Sequence, residues 1–472
     1  MSLKAFLKGK KVHFIGIGGI SMSALAKYLK SEGYAVGGSD IAVNEEISLL
    51  EEAGIPVRIG HDPSAVAGAD AVVYTDAVPA DDPELAEARE RGIPCYSRMQ
   101  LLAAVAEGFT SVIAVAGSHG KTSATAMCAH ILLQSGARFT AHIGGRDALL
   151  DNFYASGKEF FVTEACEYRK NLLAFERVTA AVWLNCDKDH MECYRDFDEL
   201  RDTFSRFAAR AARSFVNFDD ANIRPPENAL TFGVSAQNCD YRAVSLRESG
   251  ERYAFTVLER GEKLCRIRLR VPGAFHVYNA LAATAVMRGF GVDIKSIVRG
   301  IASFTGVRRR FEKIGKYGGA EFFCDYAHHP AEIAKVLELA RRRGSGRLFV
   351  VFQPHTYSRT RFLMDDFVKV LSGVENLIIF KTYAAREPFD RAGSAYALHE
   401  RTGNSLYAES VRELEAYMKK SVRGGDTVLF LGAGDIYYHA RRLLQKLGGR
   451  PVPGRKGRGG QNSTGSPLDV KE

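Results

Sequence analysis

The chain reads as an α/β protein built of three Rossmann-like units, and three observations carry that reading. Its 472 residues exceed what one hydrophobic core usually organises. Short apolar strands alternate with helical stretches along almost the whole chain, the pattern of wound, mainly parallel sheets. Turns rich in glycine follow the first strands of the first two units, at the edge where such sheets gather ligands.

The first unit, residues 1–107, runs through the strands "KVHFIGI", "YAVGGSD" and "AVVYTD", separated by helical stretches such as "SMSALAKYLKSEG" and "DPELAEARERG". Its turn "GIGGISMSA" brings Gly16, Ile17, Gly18, Gly19 and Ile20 to the start of a helix, where unpaired amides and the helix dipole favour a diphosphate. The last fingerprint position is Ser21 rather than Gly or Ala, and Asp40 ends the second strand where an acid meets a ribose hydroxyl. A nicotinamide dinucleotide, a nucleotide-sugar and a plain strand-turn-helix corner all satisfy this stretch. Thr75 and Asp76 face the same crevice without deciding among them.

The second unit, residues 108–303, opens on "SVIAVAG" and runs straight into "GSHGKTS". Gly117, Ser118, His119, Gly120, Lys121, Thr122 and Ser123 form a phosphate-binding loop at a helix start, with Lys121 on the outer phosphates of a nucleotide and the Thr122 hydroxyl on magnesium. Only Ser118 and His119 separate the two glycines, where the common loop has four residues. Further strands "FFVTEA" and "AAVWLN" end near Glu164 and near Asn185, Asp189 and His190. A carboxylate at the first of these ends can hold magnesium or simply face solvent, and a histidine at the second suits a water shell better than the ion itself. Residues 240–272 alternate like a smaller antiparallel sheet, and the closing helix begins with His276 and Asn279, the latter a base contact or a helix cap.

The third unit, residues 304–448, begins at "FTGVRRRFE", whose Arg308, Arg309 and Arg310 lie where a hinge can swing a guanidinium onto a transferring phosphoryl group. Strands "RLFVVFQ", "NLIIFK" and "TVLFLGAG" follow. "CDYAHHPAEI" offers Asp325, Tyr326, His328 and His329 at one strand end, and "FQPHTYSRTR" offers His355, Tyr357, Ser358 and Arg359 at the next. Arg359 suits a carboxylate, which a guanidinium grips with two parallel hydrogen bonds. Residues 449–472 are rich in Gly, Pro and Ser, lack apolar periodicity and read as a disordered basic tail.

Composition narrows the classes. A net charge of +9 without a basic stripe fits a phosphate-rich small substrate and gives no footprint for nucleic acid. No apolar run is long enough to span a bilayer and the start lacks an export-type cleavage pattern, so the expected location is the cytosol. Eight cysteines scattered through apolar stretches read as reduced core residues; Cys166, Cys186, His190 and Cys193 match no zinc spacing.

"GSHGKTS", "VTEACEYRKNLL", "NCDKDHMECY", "FTGVRRRFE", "DYAHHPAEI" and "FQPHTYSRTR" occur in the order and spacing of the bacterial Mur ligases, and the resemblance spans residues 11 to about 447. The loop alone also suits folylpolyglutamate synthases. The glycine-rich start and the last two motifs most resemble the branch that joins L-alanine to UDP-N-acetylmuramate. That resemblance implies a cytoplasmic, ATP-dependent enzyme of peptidoglycan precursor synthesis working through an acyl phosphate, as a monomer or weak homodimer. It implies that residues Gly16 to Ile20 and Asp40 serve the UDP-sugar, and that Gly117 to Ser123, Asn279, Arg310 (or Arg309) and Asp325 serve ATP. By the same resemblance Thr122, Glu164 and His190 serve magnesium, Tyr326, His328 and Arg359 serve the amino acid, and Lys121, His190, His328 and Arg359 carry the catalysis. Phe275 and His276 stand where relatives show His-Asn, Thr356 stands where many show Arg, and no equivalent of the carbamoylated lysine of several relatives is evident. A sibling ligase that attaches a preformed peptide to the same sugar is the nearest alternative, with a nicotinamide oxidoreductase and a non-catalytic nucleotide-binding regulator further off.

Overall fold

The computed structural model describes residues 7, 9–250, 252–343, 346–385 and 387–452. Three sheets follow one another along the chain. The first has five parallel strands in the order Val57–Ile59, Ala35–Asp40, Lys11–Ile15, Ala71–Tyr74 and Cys95–Ser97. Successive crossovers leave Lys11–Ile15 on opposite sides, so a crevice opens beyond Ile15 and Tyr74, where ligands of such sheets collect.

The central sheet has ten strands, and Ser111–Ala116, which feeds the phosphate loop, lies between Phe160–Glu164 and Ala180–Trp183. Seven of its strands run parallel, including Arg213–Asn217 and Leu230–Gly233. The antiparallel strands expected at 240–272 are present as Tyr241–Ser249, Arg252–Glu259 and Glu262–Pro272, but they extend the parallel sheet, because Tyr241 pairs in register with Phe232. A hairpin that periodicity did not reveal, Phe139–Asp147 with Asp151–Ala155, closes the other edge.

The third sheet is mixed. Leu406–Ala408, Asn376–Phe380, Leu348–Phe352, Thr427–Leu431 and Ala320–Asp325 run parallel, and Glu312–Tyr317 adds antiparallel. Arg450 and Pro451, assigned by composition to the disordered tail, instead pair with Lys316 and Gly315 as a final short strand. Residues 453–472 of that tail lie outside the described residues.

Burial distinguishes the three units. One apolar cluster runs from Val12, Phe14 and Leu29 of the first sheet through Phe161, Trp183 and Phe204 of the second. Aromatic rings make the seam: Tyr28 meets Phe109 at 6.2 Å and Phe109 stacks on Phe161 at 4.8 Å. The third unit has two clusters of its own, all within residues 311–447. It joins the second at Val307, which bridges Asp147, and Arg308 reaches back to Glu45 of the first unit at 2.7 Å. No helix among the described residues is long and apolar enough to cross a membrane.

Candidate active site

The loop Gly117–Gly120 passes from strand to helix through two left-handed glycines, Gly117 at φ 136° and Gly120 at φ 86°. A Cβ on Gly120 would lie 2.6 Å from Asn279 Oδ1, so glycine lets the two backbones close. The helix Lys121–Ser135 has no side-chain cap, and its first amides stay available to an anion. The Asn185 side chain braces the loop from both directions, accepting from the His119 amide at 2.8 Å and donating to the His119 carbonyl at 2.9 Å.

Lys121 Nζ donates to the carbonyls of Gly117 and Ser118 and to both oxygens of Glu167, at 2.9 and 3.0 Å. Burial opposes the ammonium, but the Glu167 carboxylate outweighs it and holds the group charged well above the usual lysine range. The Glu167 side chain is fully buried, and Tyr194 donates its hydroxyl to the Glu167 carbonyl. Sequence analysis gave Glu167 no role. Nothing in the sequence separated it from Glu164, three residues earlier, which accepts the Gly144 amide at 2.6 Å.

Glu167, Asp189 and His190 bring ligand atoms within 4.8 Å of one another. His190 is left-handed at φ 55°, and its amide bonds Asp189 at 2.8 Å. Burial would raise the Asp189 pKa, yet positive charge beside it, from His190 first and also from Arg359, pulls it down to about 2. Of the expected metal set, His190 thus sits with Glu167 and Asp189. Thr122 and Glu164 border the neighbouring Gly144–Gly145 segment: a Cβ on Gly145 would lie 3.2 Å from Thr122, and one on Gly144 2.3 Å from Glu164. The oxygen donors suit a hard cation such as magnesium, and one imidazole suits its water shell.

The third unit supplies the opposite wall. His328 Nδ1 donates to the Tyr326 carbonyl at 3.0 Å, which leaves Nε2 as the basic nitrogen. Burial, helped by Arg359 and resisted by Glu332, lowers its pKa to about 4, so the ring is neutral at physiological pH. Arg359 donates to the His355 carbonyl at 2.8 Å, and His355 stacks on Tyr383 at 5.4 Å. Tyr326 lies under the guanidinium groups of Arg309 and Arg310, at 4.8 and 5.1 Å. The three hinge arginines divide their tasks: Arg308 pairs with Glu45, Arg309 donates to the Gly432 and Gly434 carbonyls, and Arg310 faces the nucleotide-sized cavity.

That cavity, about 390 Å³, lies between the phosphate loop and the third unit and is bordered by Thr122, Asn279, Arg310, Asp325, Phe275 and Tyr253. Asp325 spends both oxygens on backbone amides, of Phe311 at 2.6 Å and Ala327 at 2.7 Å, and burial raises its pKa to about 6. It therefore shapes the hinge as well as facing the cavity. His276 is buried and neutral, its pKa lowered to about 3 by burial and Arg310, and it contacts Asn279 at 3.3 Å.

One residue with no assigned role closes the site across units. Glu332, in the first turn of helix Pro330–Arg341, approaches His119 at 3.3 Å and His328 at 3.4 Å, while His119 also meets Asp187 at 2.9 Å. Against burial, those two carboxylates raise the His119 pKa from 6.5 to about 9. The stabilisation is complete below pH 6.5 and is lost as pH rises through 9. The melting-temperature gap between parent and His119→Asn is expected to be full below pH 6.5, worth about 3 kcal/mol at most, to shrink as pH rises from there, and to vanish above pH 9. A gap that widens with pH contradicts the paired imidazolium.

In the first unit, the amides of Gly16 and Ile17 bond the Ser39 carbonyl at 2.8 and 3.0 Å, and Gly19 and Ile20 open the following helix. Asp40, expected beside a ribose, accepts the amides of Gly18 and Ile41, both at 2.8 Å, so it fixes the turn itself. A network that sequence spacing could not show runs from Arg98 through Ser21 to His142 of the central hairpin, at 3.2 and 2.9 Å.

Residues 11–110 match the family model described as Mur ligase family, catalytic domain, residues 115–287 the Mur ligase middle domain, and residues 309–434 the Mur ligase, glutamate ligase domain. The chain is 39% identical over 453 residues to a UDP-N-acetylmuramate–L-alanine ligase of Acetivibrio thermocellus, covering 93% of this chain and 96% of that protein. To the protein of the same name from Clostridium acetobutylicum it is 37% identical, covering 93% and 98%. The solved UDP-N-acetylmuramate-alanine ligase of Thermotoga maritima shares its structure with TM-score 0.80 at 28% identity, over 92% of this chain and 98% of that one. A murein peptide ligase from Psychrobacter arcticus, at TM-score 0.75 and 22% identity, has the same fold over 93% of this chain and 99% of its own. Three consecutive matched domains around a single phosphate-loop site make the chain a member of the Mur ligase family.

Proposed function

We propose that this protein joins L-alanine to the lactyl carboxylate of UDP-N-acetylmuramate at the expense of ATP, in the cytoplasmic synthesis of peptidoglycan precursors. The observation that supports the reading is Glu332 of the third unit, which approaches His119 of the phosphate loop at 3.3 Å and His328 at 3.4 Å. The phosphoryl end and the amino-acid end therefore meet at one point.

A carboxylate is a weak nucleophile and a poor acylating agent, so transfer of the γ-phosphoryl from ATP to its oxygen, with ADP leaving, gives an acyl phosphate whose carbonyl carbon an amine attacks, displacing inorganic phosphate. Lys121, held by Glu167 beside the loop, supplies the charge for the outer phosphates, Arg310 faces the cavity from the hinge, and the first amides of the helix are free for the remaining oxygens. Thr122, Glu164 and the Glu167–Asp189–His190 cluster are the residues that would hold magnesium, which when bound neutralises charge between the two anionic substrates. Neutral His328 accepts a proton at Nε2 as the ammonium of alanine becomes an attacking amine, and Arg359 holds the amino acid's carboxylate. Closure of the third unit keeps water from the acyl phosphate.

Similarity favours a single amino acid over a preformed peptide: the chain is 39% and 37% identical to the two UDP-N-acetylmuramate–L-alanine ligases and 22% identical to the murein peptide ligase. The test is ADP release over a panel of amino acids and peptides, with oxygen-18 in the lactyl carboxylate. Release that needs both UDP-N-acetylmuramate and L-alanine, with label in the liberated phosphate, is the expected result. Equal ATP consumption without an amino acid, or unlabelled phosphate, overturns it.

A further inference from the structure

The segment after Glu167 contains a backbone feature that the fold does not require. Arg169 and Lys170 are both left-handed, at φ 50°, ψ 30° and φ 59°, ψ 24°, and interrupt the short helix Tyr168–Ala174. Left-handed backbone is rare for residues with a Cβ, rarer still for two in succession, and persists where the surroundings impose it. The side chain of Lys170 is accounted for: its Nζ bonds Glu199 at 2.5 Å and lies 5.9 Å from the Tyr194 ring.

Arg169 is different. Its guanidinium lies 5.4 Å from the Tyr168 ring, Tyr168 sets an edge 5.1 Å from His190, and no carboxylate among the described residues pairs with it. Two residues on, Asn171 donates to Asp76 of the first unit at 3.1 Å. The strained turn therefore carries an exposed cation two residues after Glu167 of the Glu167–Asp189–His190 cluster and two residues before the Asn171 contact to the first unit. An unpaired guanidinium so placed matches the charge of an incoming carboxylate, which it can bind through two parallel bonds.

Resting on the function proposed above, we infer that Arg169 anchors the lactyl carboxylate of the acceptor beside His190 before phosphoryl transfer, and that its left-handed backbone is the cost of aiming it there. Glycine adopts this conformation without strain. Arg169→Gly is thus expected to melt at or above the parent temperature while losing acceptor affinity. Calorimetry without ATP should show UDP-N-acetylmuramate bound about tenfold more weakly, as expected for one charge-assisted contact. UDP-N-acetylglucosamine, which lacks the lactyl group, should bind parent and variant alike. Arg169→Lys should recover part of the loss. Unchanged UDP-N-acetylmuramate affinity in the folded glycine variant, or equal weakening for both sugars, overturns the assignment. Failure of the parent to turn over with L-alanine instead overturns the functional proposal, and the two binding measurements still decide the role of Arg169.

Discussion

Lys121→Ala is expected to lower turnover by about 10³-fold, the order lost when a positioned charge is removed from a phosphoryl-transfer or oxyanion site. The loss should fall on kcat, with the KM for ATP changed only a few-fold, because the loop amides still cradle the nucleotide while the charge needed in the transition state is gone. A second effect must be separated. Lys121 is the partner of the fully buried Glu167, and removing it strands that carboxylate at a cost of about 3–5 kcal/mol of stability. The pair Lys121→Met with Glu167→Gln removes both charges, so melting should recover while turnover stays lost. Turnover within tenfold of the parent in a folded Lys121→Ala protein would remove the lysine from the chemistry.

Arg359→Ala is expected to raise the KM for L-alanine about 100-fold and leave those for ATP and UDP-N-acetylmuramate nearly unchanged. Arg359 Nη1 donates to the His355 carbonyl at 2.8 Å, which fixes the plane of the guanidinium and leaves its other nitrogens for a carboxylate. Arg359→Lys keeps the charge without the fork and should recover only part of the affinity. Steady-state kinetics with each substrate varied in turn separates the outcomes, and a KM change confined to the nucleotide-sugar would move Arg359 to another subsite.

Short-range chemistry was legible in the sequence and long-range pairing was not. Strand-turn-helix spacing identified the phosphate loop, and the strand ends at Glu164, Asp189 and Asp325 were readable because a parallel sheet puts its carboxyl edge on one side. Asp40 and Asp325 each also hold two backbone amides, the first of its own turn and the second of the hinge, a task that a strand-end position does not announce. Acids at strand ends look alike whether they bind a ligand or a loop. Glu332 was missed for a related reason: an acid in the first turn of a proline-started helix is what helix electrostatics favours anyway, and its contacts to His119 depend on how two units close. The Lys121–Glu167 pair joins the ends of two neighbouring strands, Ser111–Ala116 and Phe160–Glu164, that only topology brings together. The hairpin at 139–155 escaped because its Gly144–Gly145 segment breaks the alternation that marks a strand.

The apolar clusters of residues 311–447 close on themselves, whereas one cluster runs from the first unit into the second across the Tyr28–Phe109–Phe161 seam, and Phe304 and Val307 pack into the core of the second. The C-terminal third is therefore a cassette. Swapping it beyond Val307 for that of a sibling leaves the apolar clusters of the first two units whole, so the choice of amine can diversify by recombination while the grip on the shared carrier is inherited intact.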